Sequence, residues 1–250
     1  MIFKILANYG PLLLAAMGQT LLLALWSLFF ACLIGLFVGI LSVLKSRVCN
    51  IIATIFVDII RGVPMIVLAF FVYFGVPMLM NDNLNWAAMT GSKFTFTALQ
   101  AGIICLSLNC GAYMAEIVRG GIISIDRGQF EGALSIGMSH AQTMVKVVLP
   151  QVMRNILPSV SNEFVINIKD TSVLNVIGVT ELYYFAGIIK RQNFQTFQTY
   201  LVVCVLYFIL TFTVTRILRY IEKRLDGKNS YTIFGSQSAS AAEIRVQREG

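Results

Sequence analysis

The chain has 250 residues, of which 57% are hydrophobic and 12% charged, whereas a typical globular domain has about 25% charged residues. Several apolar runs are long enough to cross about 30 Å of hydrocarbon as helices, which excludes an ordinary water-soluble fold. The formal net charge of +7 comes largely from Lys and Arg between and after these runs, where such residues set membrane topology. The composition therefore predicts an all-α, multi-pass protein surrounded by membrane lipid, and argues against nucleic-acid binding.

The apolar runs predict about five membrane-spanning helices within a domain of residues 1–225. The expected spans are residues 18–44, 63–80, 94–118, 156–179 and 197–218. The sequence Arg61-Gly62-Val63-Pro64 breaks the helix before the second span and predicts a turn at the membrane surface. The polar loop that follows this span, Asn81 to Lys93, carries a Trp of the kind that favours the lipid headgroup region.

The basic residues predict the orientation of the chain. Lys45 and Arg47, the basic residues of 119–154 and those of 216–228 can all lie on the cytoplasmic side. This arrangement places the N-terminus outside and the C-terminus in the cytoplasm. Residues 226–250 are rich in Ser, Gly and charged residues, which predicts a flexible cytoplasmic tail.

A polar insert at residues 129–150, QFEGALSIGMSHAQTMVKVVLP, separates two apolar runs. Read as one continuous helix, it places Ala133, Gly137 and Ala141 on a narrow face of small side chains. Pro150 is expected to end this helix because proline cannot continue the hydrogen-bond ladder. The residues alone allow two interpretations, a docking element for another protein or an amphipathic connector lying on the membrane.

The insert resembles the EAA loop of ABC importer permeases, whose pattern is E-A-A-x3-G-x9-I-x-L-P. The resemblance makes six residues the predicted ATPase contact: Glu131, Gly132, Ala133, Gly137, Leu149 and Pro150. Gly132 stands where Ala is usual, and Val147 where Ile is usual. Three further segments resemble the signature segments of the polar amino-acid uptake permeases: Arg61 to Gly75, Gly111 to Ile122 and Lys169 to Leu182.

The resemblance implies the type I importer fold in the cytoplasmic membrane of a prokaryote. It further implies a second permease subunit, the same chain or a related one, two ATPase subunits docked on the EAA loops, and an extracytoplasmic binding protein that delivers an amino acid. The chain has no G-x-x-x-x-G-K-[ST] sequence to hold nucleotide phosphates. ATP is therefore expected on the partner ATPase, and this chain is expected to bind no cofactor and to catalyse no reaction.

Polar residues inside the apolar runs mark the predicted translocation path. In the fourth run Glu163 and Asn167 share one helical face, and Asn162 lies beside them. Ionisable groups at membrane depth are rare and normally face a path or a partner. Asn162, Glu163 and Asn167 are therefore predicted substrate contacts. Asn109 and Tyr113 on the third run either line the same path or bond to a neighbouring helix.

Other charged or polar residues are interpreted as structural. Asp58 and Arg61 are one helical turn apart, a spacing that allows them to pair, and a structural role is favoured. Glu116 and Arg119, near the cytosolic end of their span, are interpreted as topology or gating charges. The single histidine, His140, gives neither a metal site nor a catalytic triad, and the cysteines have no metal-ligand spacing.

Two questions stay open at the level of sequence. Glu163 suits a cationic ligand, but it equally suits an ion pair with Lys169 or with another subunit, so the amino acid is not specified. The alternative function is a secondary carrier driven by an ion gradient. Such carriers usually contain paired repeats, and five spans do not divide in that way.

Overall fold

The computed structural model describes residues 2–44 and 46–225, and in that part of the chain all regular structure is helical. The first five helices are α1 (Ile2–Leu41), α2 (Arg47–Gly62), α3 (Met65–Asp82), α4 (Trp86–Thr90) and α5 (Ala98–Ile123). They are followed by α6 (Arg127–Ser135), α7 (His140–Ile177), α8 (Leu182–Asn193) and α9 (Thr196–Leu225). Two π-helical turns interrupt them, Phe71–Gly75 in α3 and Met144–Val148 in α7, and α7 ends in a 3₁₀ turn, Thr171–Ile177.

Four single helices, α1, α3, α5 and α9, are long and apolar enough to cross a membrane. Helices α7 and α8, bent by 54° at their junction, form a fifth candidate span. The predicted all-α membrane fold is therefore confirmed. Helix α1 begins at Ile2 and not near residue 18, and α7 begins at His140 and not near residue 156. The predicted tail, residues 226–250, lies outside the described residues, and the membrane orientation stays a prediction.

Helices α1 and α5 form the most extensive contact of the bundle. Small residues allow their backbones to approach: Gly35 lies against Met114, and Gly39 against Val118. With Ala31, these glycines recur every fourth residue, which is the spacing that lets membrane helices pack closely. A Cβ atom at Gly35 would overlap the Met114 side chain, so the crossing requires glycine at this position.

The outer faces of α1 and α9 are strongly apolar. Leu22, Trp26 and Phe37 on α1 and Phe208 on α9 are each more than half exposed. A continuous apolar surface of this kind marks contact with lipid or with another membrane subunit. The bundle is therefore built to be surrounded by hydrocarbon or by a partner subunit.

The turn between α2 and α3, residues 63–64, lies beside α5 and not at the end of the bundle. Ile60 before the turn and Leu68 after it belong to one core cluster. The Cys105 Sγ atom of α5 is 3.9 Å from the Met65 carbonyl oxygen. Residues on both sides of the break therefore pack on the same helix, and the predicted position of this turn at the membrane surface stays a prediction.

The junction of α7 and α8 is held by a buried carboxylate. Glu181 is fully buried and accepts hydrogen bonds from the Tyr184 backbone N–H (2.7 Å) and from the Tyr207 hydroxyl (2.6 Å). The Leu182 N–H donates to the Thr20 hydroxyl on α1 (3.1 Å). Glu181 thus caps α8 and links it to α9. In the sequence Glu181 is a lone carboxylate in an apolar stretch, and sequence reasoning assigned it no role.

Candidate functional site

The predicted EAA segment folds as two helices and not as one. Helices α6 and α7 are separated by residues 136–139, where Gly137 adopts a left-handed φ of +86°. The Gly137 N–H donates to the Leu134 carbonyl (2.9 Å), and the Met138 N–H donates to the Ala133 carbonyl (3.2 Å). This is a glycine-terminated Schellman helix end. The prediction of a continuous helix was wrong, because the motif glycine is a turn residue.

Local capping explains where the two helices start. The Asp126 carboxylate accepts a hydrogen bond from the Gly128 N–H (2.6 Å) at the start of α6. Ser139 and Gln142 form a reciprocal capping box at the start of α7, with N–H to side-chain oxygen distances of 3.2 and 2.9 Å. Both signals are readable in the sequence. Residues 126–150 therefore form a helical hairpin, called here the α6–α7 hairpin.

Pro150 does not end the second helix of the hairpin. Helix α7 continues through this proline to Ile177. The π-helical turn Met144–Val148 precedes the proline and widens the backbone where a proline ring would meet the preceding turn. The predicted helix stop is therefore wrong, and the second helix of the hairpin continues through the π-helical turn and Pro150 as the long helix α7.

The six predicted contact residues differ in exposure. Glu131, Gly132, Gly137 and Pro150 are exposed, whereas Leu149 is half-buried. Ala133 is buried, which corrects its placement on a common face with Gly137. Five of the six motif positions therefore remain at least partly accessible to a partner.

The tip of the hairpin presents an apolar side chain that sequence reasoning did not single out. Ile136 is 80% exposed, next to Gly137 in the turn. The other side of the hairpin is packed, with Phe130 and Met144 against the cluster that contains Val148. The hairpin thus packs on the bundle with one side and leaves an isoleucine exposed at its turn.

A polar cavity of about 470 Å³ opens between the end of α2, the second half of α5 and the middle of α7. It brings together three of the predicted path residues, Tyr113, Asn162 and Glu163. Residues that the sequence did not assign to the path complete its lining: Arg61, Glu116, Ile117, Pro158 and Ser159. In the sequence, the position of Arg61 beside a helix break was the one feature that could have pointed to a functional role.

Charges of both signs meet at this cavity. The Arg61 Nη1 atom lies 3.4 Å from Glu116 Oε2, and Arg119 Nε lies 3.5 Å from Glu116 Oε1. The Arg61 guanidinium also stacks over the Tyr113 ring, 4.8 Å from its centroid. Arg61 therefore pairs with Glu116 of α5 and not with Asp58, the partner that the sequence spacing allowed.

Glu163 stands apart from this ion-pair cluster. Its side chain lines the cavity although the residue is only 7% exposed. Within residues 2–44 and 46–225 it forms no salt bridge. A carboxylate withdrawn from water without a cationic partner is costly, and such a group commonly serves a ligand.

Asn167 and Asn109 do not line the cavity. Asn167 is 2% exposed, and its amide nitrogen donates to the Ser27 hydroxyl (2.8 Å) and to the Ala24 carbonyl (3.2 Å) on α1. It therefore links α7 to α1 and lies outside this cavity wall, and its assignment as a substrate contact stays a prediction. Asn109 is half-buried on α5, outside the residues of the cavity wall.

The combination of a lipid-facing helical bundle, a polar cavity between its helices and a protruding hairpin defines a membrane transport subunit. Over residues 31–227 the chain matches the family described as binding-protein-dependent transport system inner membrane component. This match covers well over half of the chain. The chain belongs to this family.

Individual relatives agree with this assignment. The chain is 36% identical over 215 residues to the glutamine transport system permease protein GlnP of Escherichia coli, covering 86% of this chain and 93% of the relative. It is 36% identical over 201 residues to the probable amino-acid permease protein YxeN of Bacillus subtilis, covering 80% and 85%.

Solved structures show the same fold. An amino acid ABC transporter crystallised with histidines superposes with a TM-score of 0.77 at 32% identity, covering 89% of this chain and 98% of that chain. The MetNI methionine ABC transporter in an inward-facing conformation superposes with a TM-score of 0.62 at 21% identity, covering 86% and 98%.

The chain is thus the transmembrane subunit of an ABC importer and a multi-pass protein of the bacterial cell membrane. It acts with a second permease subunit and with a separate ATPase that hydrolyses the ATP, so it is not itself an enzyme. The ion-coupled carrier considered as an alternative is excluded by this family membership.

Proposed function

We propose that this permease carries a polar amino acid and that the polar cavity contacts it during translocation. The curated relatives are named as glutamine or amino-acid permeases, which supports this substrate class. The proposal assigns substrate contact to Glu163, Asn162 and Tyr113, and adds Arg61.

The observation that carries the proposal is the buried Glu163, which has no salt bridge to any residue of 2–44 and 46–225, at the wall of a cavity that also contains Arg61. An amino acid presents an ammonium and a carboxylate on one carbon. The ammonium is opposite in charge to Glu163, and the carboxylate is opposite in charge to Arg61. The Arg61–Glu116 pair is partly exposed and 3.4 Å long, so it is weak and can exchange partners at low cost. The cavity thereby offers a binding site for each end of a zwitterion.

In this proposal ATP binds to the partner ATPase subunits. When these subunits close, the α6–α7 hairpin transmits their movement to the permease. Glu131, Gly132 and the Gly137 turn form the contact together with the exposed Ile136, which lies at the tip. Movement of the docked hairpin acts directly on α7, because the second helix of the hairpin is the start of α7. Since α7 also carries Asn162 and Glu163, one helix joins the ATPase contact to the cavity.

Uptake of radiolabelled glutamine and arginine by the complete importer in proteoliposomes tests the cavity. Glu163→Gln is expected to lower uptake at subsaturating substrate by about tenfold or more, because a charge-assisted hydrogen bond to the substrate is lost. The matched control is Glu222→Gln on α9, outside the cavity. Wild-type uptake of both amino acids by the Glu163 variant would reject this assignment.

A further inference from the structure

We infer that Glu116 and Arg119 are positioning residues that set how strongly Arg61 binds the carboxylate of the substrate. Glu116 competes with the substrate for Arg61, and Arg119 competes with Arg61 for Glu116. The inference rests on the proposed function, because it takes Arg61 as the contact for the substrate carboxylate. It goes beyond that function by assigning a role to Arg119, which lies outside the cavity wall.

The three side chains come from two helices. Arg61 lies in the last turn of α2, whereas Glu116 and Arg119 lie three residues apart on α5. The two oxygens of the Glu116 carboxylate face different arginines. Oε2 is 3.4 Å from Nη1 of Arg61, and Oε1 is 3.5 Å from Nε of Arg119. One carboxylate is therefore shared between two guanidinium groups.

The shared carboxylate leaves one positive charge uncompensated. Within residues 2–44 and 46–225, neither Arg61 nor Arg119 forms a salt bridge to any acidic residue other than Glu116. Arginine side chains stay protonated in proteins, so both guanidinium groups carry their full charge. A second carboxylate, such as that of an amino acid, would complete the group.

The geometry of Arg61 allows it to accept this second carboxylate. Its 3.4 Å distance to Glu116 exceeds the about 2.7–2.9 Å of a charge-assisted hydrogen bond, so its N–H donors are not committed to Glu116. The Tyr113 ring covers one face of the guanidinium, 4.8 Å from the ring centroid. The Arg61 side chain is 40% exposed and lines the cavity. The ring thus holds the plane of the guanidinium, and the N–H donors at its edge remain available.

The two ion pairs respond differently to movement of the helices. The pair of Glu116 and Arg119 lies within α5, so it persists when α5 moves as a unit. The pair of Arg61 and Glu116 joins α2 to α5, so it lengthens when these helices separate. Both pairs are partly exposed and individually weak. Arg119 is therefore placed to retain Glu116 when Arg61 turns to the substrate.

The competing interpretation makes Glu116 itself the contact for the substrate ammonium. Glu116 lines the cavity, as Glu163 does. Each Glu116 oxygen, however, already lies within 3.5 Å of an arginine, and an ammonium there would be repelled by two neighbouring cations. Glu163 has no salt bridge in the described part of the chain. The ammonium therefore belongs at Glu163, and the two interpretations predict opposite effects of removing the Glu116 charge.

Equilibrium binding of radiolabelled arginine and glutamine to the purified permease–ATPase complex in lipid nanodiscs, without binding protein, tests the inference. Glu116→Gln frees Arg61 and is expected to tighten binding about two- to fivefold, whereas Arg119→Gln leaves Glu116 to Arg61 and is expected to weaken it by a similar factor. Arg119→Lys keeps the charge and should bind like the wild type. Glu222→Gln and Arg219→Gln are the matched controls, because they make the same charge changes on α9, outside the cavity wall.

Competition by argininamide and glutaminamide, in which a neutral amide replaces the carboxylate, isolates the role of Arg61. Neither the gain with Glu116→Gln nor the loss with Arg119→Gln is expected for these amides. The same shifts with the amides, weaker amino-acid binding by Glu116→Gln, or unchanged binding by both variants would overturn the inference. The proposed function would survive any of these results if Glu163→Gln still weakens binding. Wild-type affinity of the Glu163 variant, or no binding to the wild-type complex, would count against the proposed function instead. Co-purification of the ATPase with each variant shows that the complex is folded.

Discussion

Single residues in the α6–α7 hairpin have roles that a motif alone does not distinguish. Gly132 and Gly137 both belong to the EAA pattern, but only Gly137 has a positive φ, +86°. Neither glycine would bring an added Cβ within 4 Å of another atom. Their difference is therefore one of backbone conformation and not of space.

We expect Gly137→Ala to destabilise the hairpin by about 1–2 kcal/mol, because alanine is strained in the left-handed region. Gly132→Ala, within helix α6, is expected to be neutral or slightly stabilising. Amide hydrogen exchange of residues 126–150, and ATPase activity of the importer stimulated by its binding protein, measure the two effects. Equal behaviour of the two variants would contradict the turn assignment.

Asn167 gives a second test at the scale of one residue. Because its amide bonds to Ser27 and to the Ala24 carbonyl, Asn167→Ala is expected to lower the free energy of unfolding by about 0.6–2 kcal/mol. The substrate concentration for half-maximal uptake should not change. Ser27→Ala should have a smaller effect, and the double variant should lose less than the sum of both. An increase in that half-maximal concentration would instead support Asn167 as a substrate contact.

At the scale of elements, the contact of α1 with α5 depends on small residues. Gly35→Ala must displace the Met114 side chain, because the added Cβ would overlap it. We expect a lower midpoint of thermal unfolding in detergent, with a loss of about 1–3 kcal/mol for overpacking. Gly18→Ala on the same helix meets no atom within 4 Å and should leave the midpoint unchanged or raise it. The interpretation fails if both variants unfold at the wild-type temperature.

Element boundaries show where sequence reasoning succeeded and where it failed. Long apolar runs marked the spans well because hydrocarbon thickness sets a minimum helix length. The hairpin was misread as one helix because helical spacing in a 22-residue segment fits one helix and two short ones equally well. Asp126, Ser139 and Gly137 carried the correct signals for capping and turning. The helix stop predicted at Pro150 was wrong because the π-helical turn before it, Met144–Val148, has no recognisable pattern in the sequence.

At the scale of the whole molecule, orientation is the next quantity to measure. On a background without native cysteines, Met89→Cys and Ile136→Cys place single thiols at exposed positions of the loop between α3 and α5 and of the hairpin tip. We expect a membrane-impermeant maleimide to label position 89 in intact spheroplasts, and position 136 only in inverted vesicles. The positive-inside distribution of Lys and Arg is the physical reason. The reverse labelling would overturn both the predicted topology and the proposed cytoplasmic position of the hairpin.

The sequence by itself determined the all-α membrane class and the absence of a phosphate-binding loop. These properties depend on composition, run length and local spacing, which are written along the chain. Only the tertiary structure decided that Glu116 and not Asp58 faces Arg61, that Asn167 links α7 to α1, and that Glu163 meets Arg61 at one cavity. Those partners come from helices that are distant in sequence. The helix faces that meet are set by the close crossing of glycine-containing helices and by helix breaks, and no single segment of the sequence encodes either.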